Sequence, residues 1–316
     1  MKGKTTTKTT TTNAGIAGQP VKADVYERVT SRLIAYMEQG TRPWLKPWSA
    51  ANTEGRIERP LRHNGTPYRG VNVVLLWCDA IEKGFQSSQW MTYRQAQELG
   101  GQVRKGETSS LVVYADRYTK TETNDQGEED ERSIAFMKGY TVFNVDQIDG
   151  LPAQYRPAPR PTLPAVELHQ VAEEFFAKTG ATIRHGGNRA YYATALDYIQ
   201  LPPPETFKDA ESYAGTKAHE FIHWTGHKSR NAREFGKRFG DQAYAFEELV
   251  AELGAAFLCA DLGITPEVRE DHAAYLTHWL QVLKEDKRAI FTAAAHAQRA
   301  ADTLHALQEA PAEMTA

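Results

Sequence analysis

His219-Glu220-Phe221-Ile222-His223 is the most informative stretch of this chain, because it predicts both a helix and a metal site. The two histidines are four residues apart, so on a helix they project from one face about one turn apart. Their imidazole nitrogens can then reach one ion at about 2.0–2.1 Å. Glu220 follows the first histidine and is placed to accept a proton from the water that attacks a peptide carbonyl. The pattern therefore predicts a zinc metallopeptidase helix with its own general base.

A catalytic zinc site needs a third protein ligand, and the next strongly apolar helix offers candidates within Phe246-Glu247-Glu248-Leu249-Val250-Ala251-Glu252. We predict Glu248 as the ligand and Glu252, one turn later, as a partner of a ligand histidine. The exchange of these two roles stays open. Glu247 lies about 100° around the helix from Glu248 and is expected at the surface. The expected ion is zinc, with manganese as the alternative.

The chain of 316 residues has a net charge of −3 that is unevenly distributed. Residues 1–110 contain 16 Lys and Arg against 9 Asp and Glu, so the first third is basic while the remainder is acidic. A basic region favours a polyanionic partner such as nucleic acid. The start lacks the apolar segment of a signal peptide, and no apolar run of about 18 residues occurs. We therefore expect a cytoplasmic protein without a membrane partner, whose only cysteines, Cys78 and Cys259, are reduced core residues.

Apolar spacing and proline content predict an α+β fold with two domains. The expected organisation is a disordered tail (1–21), a mixed domain (22–150), a Pro-rich linker (151–164), a mainly helical domain with a small sheet (165–308) and a second tail (309–316). Helices are predicted at 23–40, 71–81, 166–178, 209–226, 242–262, 267–285 and 286–308. Strands are predicted at 110–115, 135–145 and 190–200, with a long exposed loop at 119–132.

Aromatic residues alternate with cations in the first domain, which lacks a recognisable catalytic cluster. Single-stranded nucleic acid binds such surfaces, because bases stack on aromatic rings while Lys and Arg contact phosphates. The alternative is that the tryptophans build the core of a small domain. The candidate DNA-binding residues are Trp44, Lys46, Trp48, Arg62, Tyr68, Arg69, Trp90, Arg94, Arg104 and Lys105.

Several segments, in order, resemble the ArdC-type antirestriction proteins, whose N-terminal domain is shared with conjugative TraC primases. They include Tyr68-Arg69-Gly70-Val71-Asn72, Trp90-Met91-Thr92-Tyr93-Arg94, Val103-Arg104-Lys105-Gly106-Glu107, the metal motif and Glu247-Glu248-Leu249-Val250-Ala251-Glu252. The resemblance implies an N-terminal domain that binds single-stranded DNA and a C-terminal zincin-like metallopeptidase domain. It also implies protection of incoming plasmid DNA during conjugation. The acidic run Glu128-Glu129-Asp130-Glu131 is expected to point away from DNA.

Three functions fit these residues. In the first, DNA binding recruits a peptidase to an unidentified protein or peptide substrate. In the second, the protein protects single strands by coating them, and its metal site is structural or vestigial. In the third, the chain is a plain peptidase whose first domain clamps the substrate. Replacement of Glu220 separates the first two, and DNA titration addresses the third.

Overall fold

The structure, a computed structural model, combines helices with short strands and one long ribbon. It describes residues 24–40, 44, 58–123, 129–155, 165–236, 242–264 and 272–309. The predicted α+β class is confirmed. Most of the Pro-rich segment, 156–164, and both tails except residue 309 lie outside the described residues.

The described residues of the first half form three α-helices and six strands. In chain order they are α1 (Val25–Glu38), β1 (Leu61–Arg62), α2 (Val71–Lys83), β2 (Gln89–Met91), α3 (Tyr93–Glu98), β3 (Gln102–Val103), β4 (Ser110–Thr123), β5 (Glu129–Asn144) and β6 (Ile148–Asp149). One sheet has the order β1-β2-β5-β4, and β3 pairs with β6. Local signals set the helix starts: Asp24 caps α1, and Thr92 with Gln95 forms a capping box on α3.

Strands β4 and β5 form a long antiparallel ribbon, which overturns part of the predicted loop at 119–132. Their pairing runs from Ser110 opposite Val142 to Thr123 opposite Glu129. Threonines alternate along the end of β4, and threonine favours strands even where neither face is buried. Polarity was therefore wrong as a sign of a loop at 119–123 and 129–132.

In the second half, the residues that the structure describes form five α-helices and a three-stranded sheet. Its elements are α4 (Ala165–Ala177), β7 (Thr182–His185), β8 (Tyr191–Ala193), β9 (Tyr198–Leu201), α5 (Ala210–Thr225), α6 (Gln242–Leu262), α7 (His272–Glu285) and α8 (Ala289–Ala306). The sheet order is β7-β9-β8. The single strand predicted at 190–200 is two strands, because the chain reverses near Asp197, which has a φ of 50°.

Helix α6 is the centre of the second half and is buried on nearly every side from Ala245 to Cys259. It packs against α5, α7 and α8. Gly254 lies where α6 crosses α5, and a Cβ there would approach Ile222 Cγ2 to 2.8 Å. The absence of a side chain at Gly254 therefore allows the two helices to pack closely.

The two halves share one hydrophobic core. The buried rings of Trp44 and Trp279 meet edge to face, with centroids 6.2 Å apart. The buried Arg59 guanidinium contacts Asp261 Oδ1 at 2.8 Å through its Nε. The division of the chain at 151–164 stays a prediction. Buried residues of both halves belong to one large cluster, while a smaller cluster that includes Met91, Val103 and Tyr155 lies within the first half.

Two smaller findings concern the cysteines and the length of the apolar helices. Both cysteines are free and buried. No helix among these residues combines the length and apolar character that a bilayer span requires.

Replacing Trp279 with alanine is expected to lower the free energy of unfolding by about 3–5 kcal/mol, because its fully buried ring packs on Trp44 and Tyr275. Since the core is continuous, the described parts of both halves should unfold in one shifted transition. Urea unfolding followed by circular dichroism measures this. Leu196→Ala, at a side chain that is 71% exposed, is the control and should change little. Two separate transitions, only one of them shifted, would contradict the shared core.

Candidate metal centre

Helix α5 places the two motif histidines and Glu220 in the interior. Asp209 caps the helix by accepting a hydrogen bond from the Ser212 amide at 2.7 Å. The side chains of His219, Glu220 and His223 are all buried, although all three are polar. Buried imidazoles and carboxylates require partners, and α6 supplies them.

Three metal-ligating groups converge between α5 and α6. The Nε2 atoms of His219 and His223 are 3.1 Å apart. Glu248 Oε2 lies 3.5 Å from His219 Nε2, and Glu248 Oε1 lies 3.5 Å from His223 Nε2. The ligand atoms of this trio all lie within 4.8 Å of one another. Two imidazoles and one carboxylate form the three-ligand set of many catalytic zinc sites, so these residues fit a divalent ion.

A second ring of carboxylates faces the other imidazole nitrogens. Glu252 Oε2 lies 3.6 Å from His219 Nδ1, and Glu247 Oε1 lies 3.1 Å from His223 Nδ1. Glu248 therefore faces both Nε2 atoms, whereas Glu252 faces a Nδ1 atom. The assignment of Glu248 as ligand and Glu252 as partner of a ligand histidine stays a prediction. The expectation that Glu247 lies at the surface is wrong: it is 3% exposed, because α6 is buried on that side as well.

Arg233 holds Glu247 in place. Its Nε and Nη2 atoms donate to the two carboxylate oxygens of Glu247 at 3.0 and 2.8 Å. The same guanidinium also donates to the carbonyl oxygen of Ile222 and the hydroxyl of Thr225, at the end of α5. Gly226 makes this approach possible, because a Cβ there would lie 2.9 Å from Arg233 Nη2 and 2.6 Å from Phe235 Cζ.

The electrostatics of the centre favour a positive charge. Burial alone would lower the pKa of His223, but the carboxylates of Glu248 and Glu247 outweigh it and raise that pKa to about 10. Burial likewise opposes charge on Glu248, yet the imidazoles of His223 and His219 hold its pKa well below the ordinary value. A divalent cation would satisfy the same carboxylates without a proton on the imidazole.

The centre opens into a cavity of about 380 Å³. Glu220 lines this cavity together with both histidines and Glu248, so it faces the same space as the predicted ligands. Tyr244 and Tyr275 form part of the wall, with their hydroxyl oxygens 3.3 Å apart. Neither tyrosine could be recognised from the sequence, because the spacing of tyrosines does not distinguish the wall of a cavity from a core.

Strand β8 lines the same cavity and is fixed to the end of α5. Tyr192 donates to Asp197 Oδ1 at 2.7 Å, and Arg230 Nη1 contacts Asp197 Oδ2 at 3.0 Å. Arg230 also lies over the ring of Trp224, 3.8 Å from its centroid. His227 is not part of the trio, since its Nδ1 is 2.7 Å from Ser229 Oγ.

The predicted aromatic contacts to DNA are largely buried. Trp44 and Trp90 are fully buried against Trp279 and Phe85, and Tyr68 is 3% exposed. The prediction that these three rings stack on bases is wrong in this structure, because the core of the first half needs them as apolar volume. Lys46 and Trp48 lie outside the described residues.

The predicted phosphate contacts are exposed, but several already have acidic partners. The pairs are Arg69 with Asp302, Arg94 with Glu98 at 2.8 Å, and Arg104 with Glu107 at 2.7 Å. Arg62 lies over the ring of Tyr68, 5.4 Å from its centroid, and Lys105 is exposed. A paired guanidinium must give up its carboxylate to bind a phosphate, so these arginines are weaker candidates than free ones.

Known families match both halves. Residues 23–143 match the N-terminal domain of the anti-restriction factor ArdC, and residues 170–296 match a zincin-like metallopeptidase domain. The metal-free crystal structure of antirestriction ArdC from plasmid R388 is 51% identical, with a TM-score of 0.75, and the match covers 90% of this chain and 98% of that one. This chain belongs to the ArdC antirestriction family. Its second half is accordingly a zincin-like metallopeptidase domain.

Other relatives extend the ArdC comparison. The Mn(II)-bound structure of the R388 protein is 49% identical with a TM-score of 0.73, and the match covers 91% of this chain and 99% of that one. An uncharacterized protein of Sinorhizobium fredii, y4eC, is 44% identical, and the match covers 90% of this chain and 92% of that protein. A DNA primase TraC of Escherichia coli is 38% identical, and the match covers 92% of this chain but 28% of the primase.

Replacing Glu247 with glutamine is expected to weaken binding of a divalent metal about 10- to 100-fold, because the charge that orients His223 is removed while the three predicted ligands remain. Competition with a chromophoric chelator measures the affinity for Zn²⁺ and Mn²⁺. Glu234→Gln, at a nearby exposed carboxylate, is the matched control. Equal affinities for Glu247→Gln and the unchanged protein would show that Glu247 does not support the site.

Proposed function

We propose that this protein binds single-stranded DNA and acts as a zinc-dependent peptidase that protects incoming plasmid DNA during conjugation, in the cytoplasm. The proposed peptidase activity is supported by the position of Glu220, which lines one open cavity together with His219, His223 and Glu248. A structural metal site is normally closed by a fourth protein ligand, whereas a catalytic site keeps one position open. Among the described residues, three metal-ligating groups converge here, those of His219, His223 and Glu248.

Each group would have a defined role. His219, His223 and Glu248 would hold the ion, while Glu252 and Glu247 orient the two imidazoles. Bound zinc would polarise a substrate carbonyl and make the attacking water more acidic. Glu220 would take the proton from that water and pass it to the leaving amine.

An extended peptide has a place to bind beside these residues. In the part of the chain that the structure describes, β8 is an edge strand of its sheet, and Ala190, Tyr191 and Tyr192 line the cavity. The free edge of a strand offers backbone donors and acceptors that pair with an extended segment. A peptide paired there would pass Glu220 and the predicted ligands.

The DNA-binding part rests on the first half. That half matches the ArdC N-terminal domain and aligns with DNA primases. The basic balance of residues 1–110 supports a polyanionic partner. A coating protein without peptidase activity is the competing function, and the two differ in whether protection depends on Glu220.

Replacing Glu220 with glutamine is expected to lower peptide hydrolysis about 10²- to 10⁴-fold, because the general base is lost while the predicted ligands stay in place. A fluorogenic peptide library, assayed with zinc and with or without oligo(dT), measures the activity. Metal content should be retained in Glu220→Gln and lost in His223→Ala. Glu234→Gln should behave as the unchanged protein.

The same variants distinguish catalysis from coating in cells. Transfer of an unmodified plasmid into a restricting recipient is expected to be protected by the unchanged protein and by Glu234→Gln, but not by Glu220→Gln. Full protection by Glu220→Gln would refute the peptidase mechanism and favour coating. The readout is the frequency of transconjugants relative to a recipient without restriction.

A further inference from the structure

A second large groove lies between the two halves, away from the metal centre. It has a volume of about 950 Å³ and is bounded by the start of α1, the β4–β5 ribbon and the residue before α8. The lining residues that matter here are Tyr26, Arg28, Asp116, Arg117, Phe136 and Arg288. None of the candidate DNA-binding residues from the sequence lines this groove.

Three guanidinium groups in the groove are available for an anion. Arg28, Arg117 and Arg288 are exposed, and none forms an ion pair with a carboxylate among the described residues. Arg28 Nη1 lies over the ribbon, 4.0 Å from where a Cβ on Gly139 would be. These arginines differ from Arg94 and Arg69, whose charges already face carboxylates.

The two acidic side chains of the groove are both engaged. Lys287 Nζ contacts Asp24 Oδ2 at 2.6 Å, which neutralises that carboxylate. Asp116 accepts hydrogen bonds from the Tyr114 hydroxyl and from the Arg117 amide. Asp116 keeps its negative charge, but the three arginines, which have no carboxylate partner among the described residues, outnumber it, so the groove keeps a positive balance.

Aromatic rings lie beside these cations. The Arg288 guanidinium is 5.2 Å from the centroid of the Tyr26 ring, which also meets Phe291 edge to face at 4.7 Å. On the ribbon, Phe136 pairs with Tyr114, which is 49% exposed, at a centroid distance of 6.1 Å. Partly exposed rings next to free arginines are the arrangement on which single-stranded nucleic acids stack while their phosphates are neutralised.

We propose that this groove is the path of single-stranded DNA, with Arg28, Arg117 and Arg288 on phosphates and Tyr26 stacking on a base. The inference rests on the proposed DNA binding and adds its location. It also makes the site composite: Arg288 belongs to the half that matches the metallopeptidase family, and the other residues belong to the first half. The strand is therefore bound by both halves together.

The test uses the full chain and fluorescein-labelled oligo(dT) in anisotropy titrations at several salt concentrations. Replacing Arg28, Arg117 and Arg288 together with alanine is expected to weaken binding about 100-fold at 0.1 M salt. The slope of log affinity against log salt should become shallower by about 2, since each lost phosphate contact on a single strand accounts for about 0.7. Tyr26→Leu should weaken binding about fivefold or more with an unchanged slope, because a stacking contact carries no charge.

Arg184→Ala and Arg299→Ala are the matched controls, since both replace exposed arginines that do not line the groove. They are expected to change affinity less than twofold, and thermal unfolding should confirm that every variant remains folded. If the unchanged protein binds oligo(dT) and the triple variant binds equally well, the groove assignment is overturned while DNA binding stands. If the unchanged protein does not bind oligo(dT), the proposed function itself fails. Tighter binding of oligo(rU) than oligo(dT) would overturn the choice of DNA.

Discussion

The burial of three carboxylates on one helix is the constraint on which the metal centre depends. Glu247, Glu248 and Glu252 all lie inside the protein, where an unpartnered charge is very costly. Each is therefore positioned by a cationic or imidazole partner: Glu247 by Arg233 and His223, and the other two by the motif histidines. The acids and imidazoles thus hold one another in an orientation that suits a divalent ion.

That organisation extends well beyond the ligands. Arg233 reaches Glu247 only because Gly226 leaves room at the end of α5, and α5 approaches α6 closely because Gly254 has no side chain. Helix α6 in turn packs against α8, the helix that follows the arginine-lined groove. The ArdC fold thus connects the proposed catalytic and DNA-binding surfaces through a few closely packed helices, and neither surface lies on an isolated loop.

Sequence patterns predicted the parts of this structure that depend on local spacing. The metal-motif helix, the helix that carries Glu248 and the α+β class all follow from periodicity, because each is set within a few turns of chain. The burial of Glu247 was missed, because it depends on α6 being covered on nearly every side. The nearly unbroken apolar run after Glu248 was a sequence signal that could have indicated it. No sequence pattern indicated that Arg233 would contact Glu247, because a turn after α5 brings it back against the end of that helix. Trp90 and Arg94 show the reverse error: they are close in sequence, but the ring of Trp90 is buried while the guanidinium of Arg94 is exposed.

The shared core makes it costly for recombination to separate the two halves of this protein. If the chain were divided near the Pro-rich segment and the halves came apart, Trp44 would lose its contact with Trp279, and Arg59 would lose its contact with Asp261. Each separate half would then expose an apolar face. Recombination that separates the halves would therefore yield two aggregation-prone pieces. The TraC primases fit this constraint, because they align with 92% and 91% of this chain within only 28% and 20% of their own lengths. In those larger proteins the two halves occur together.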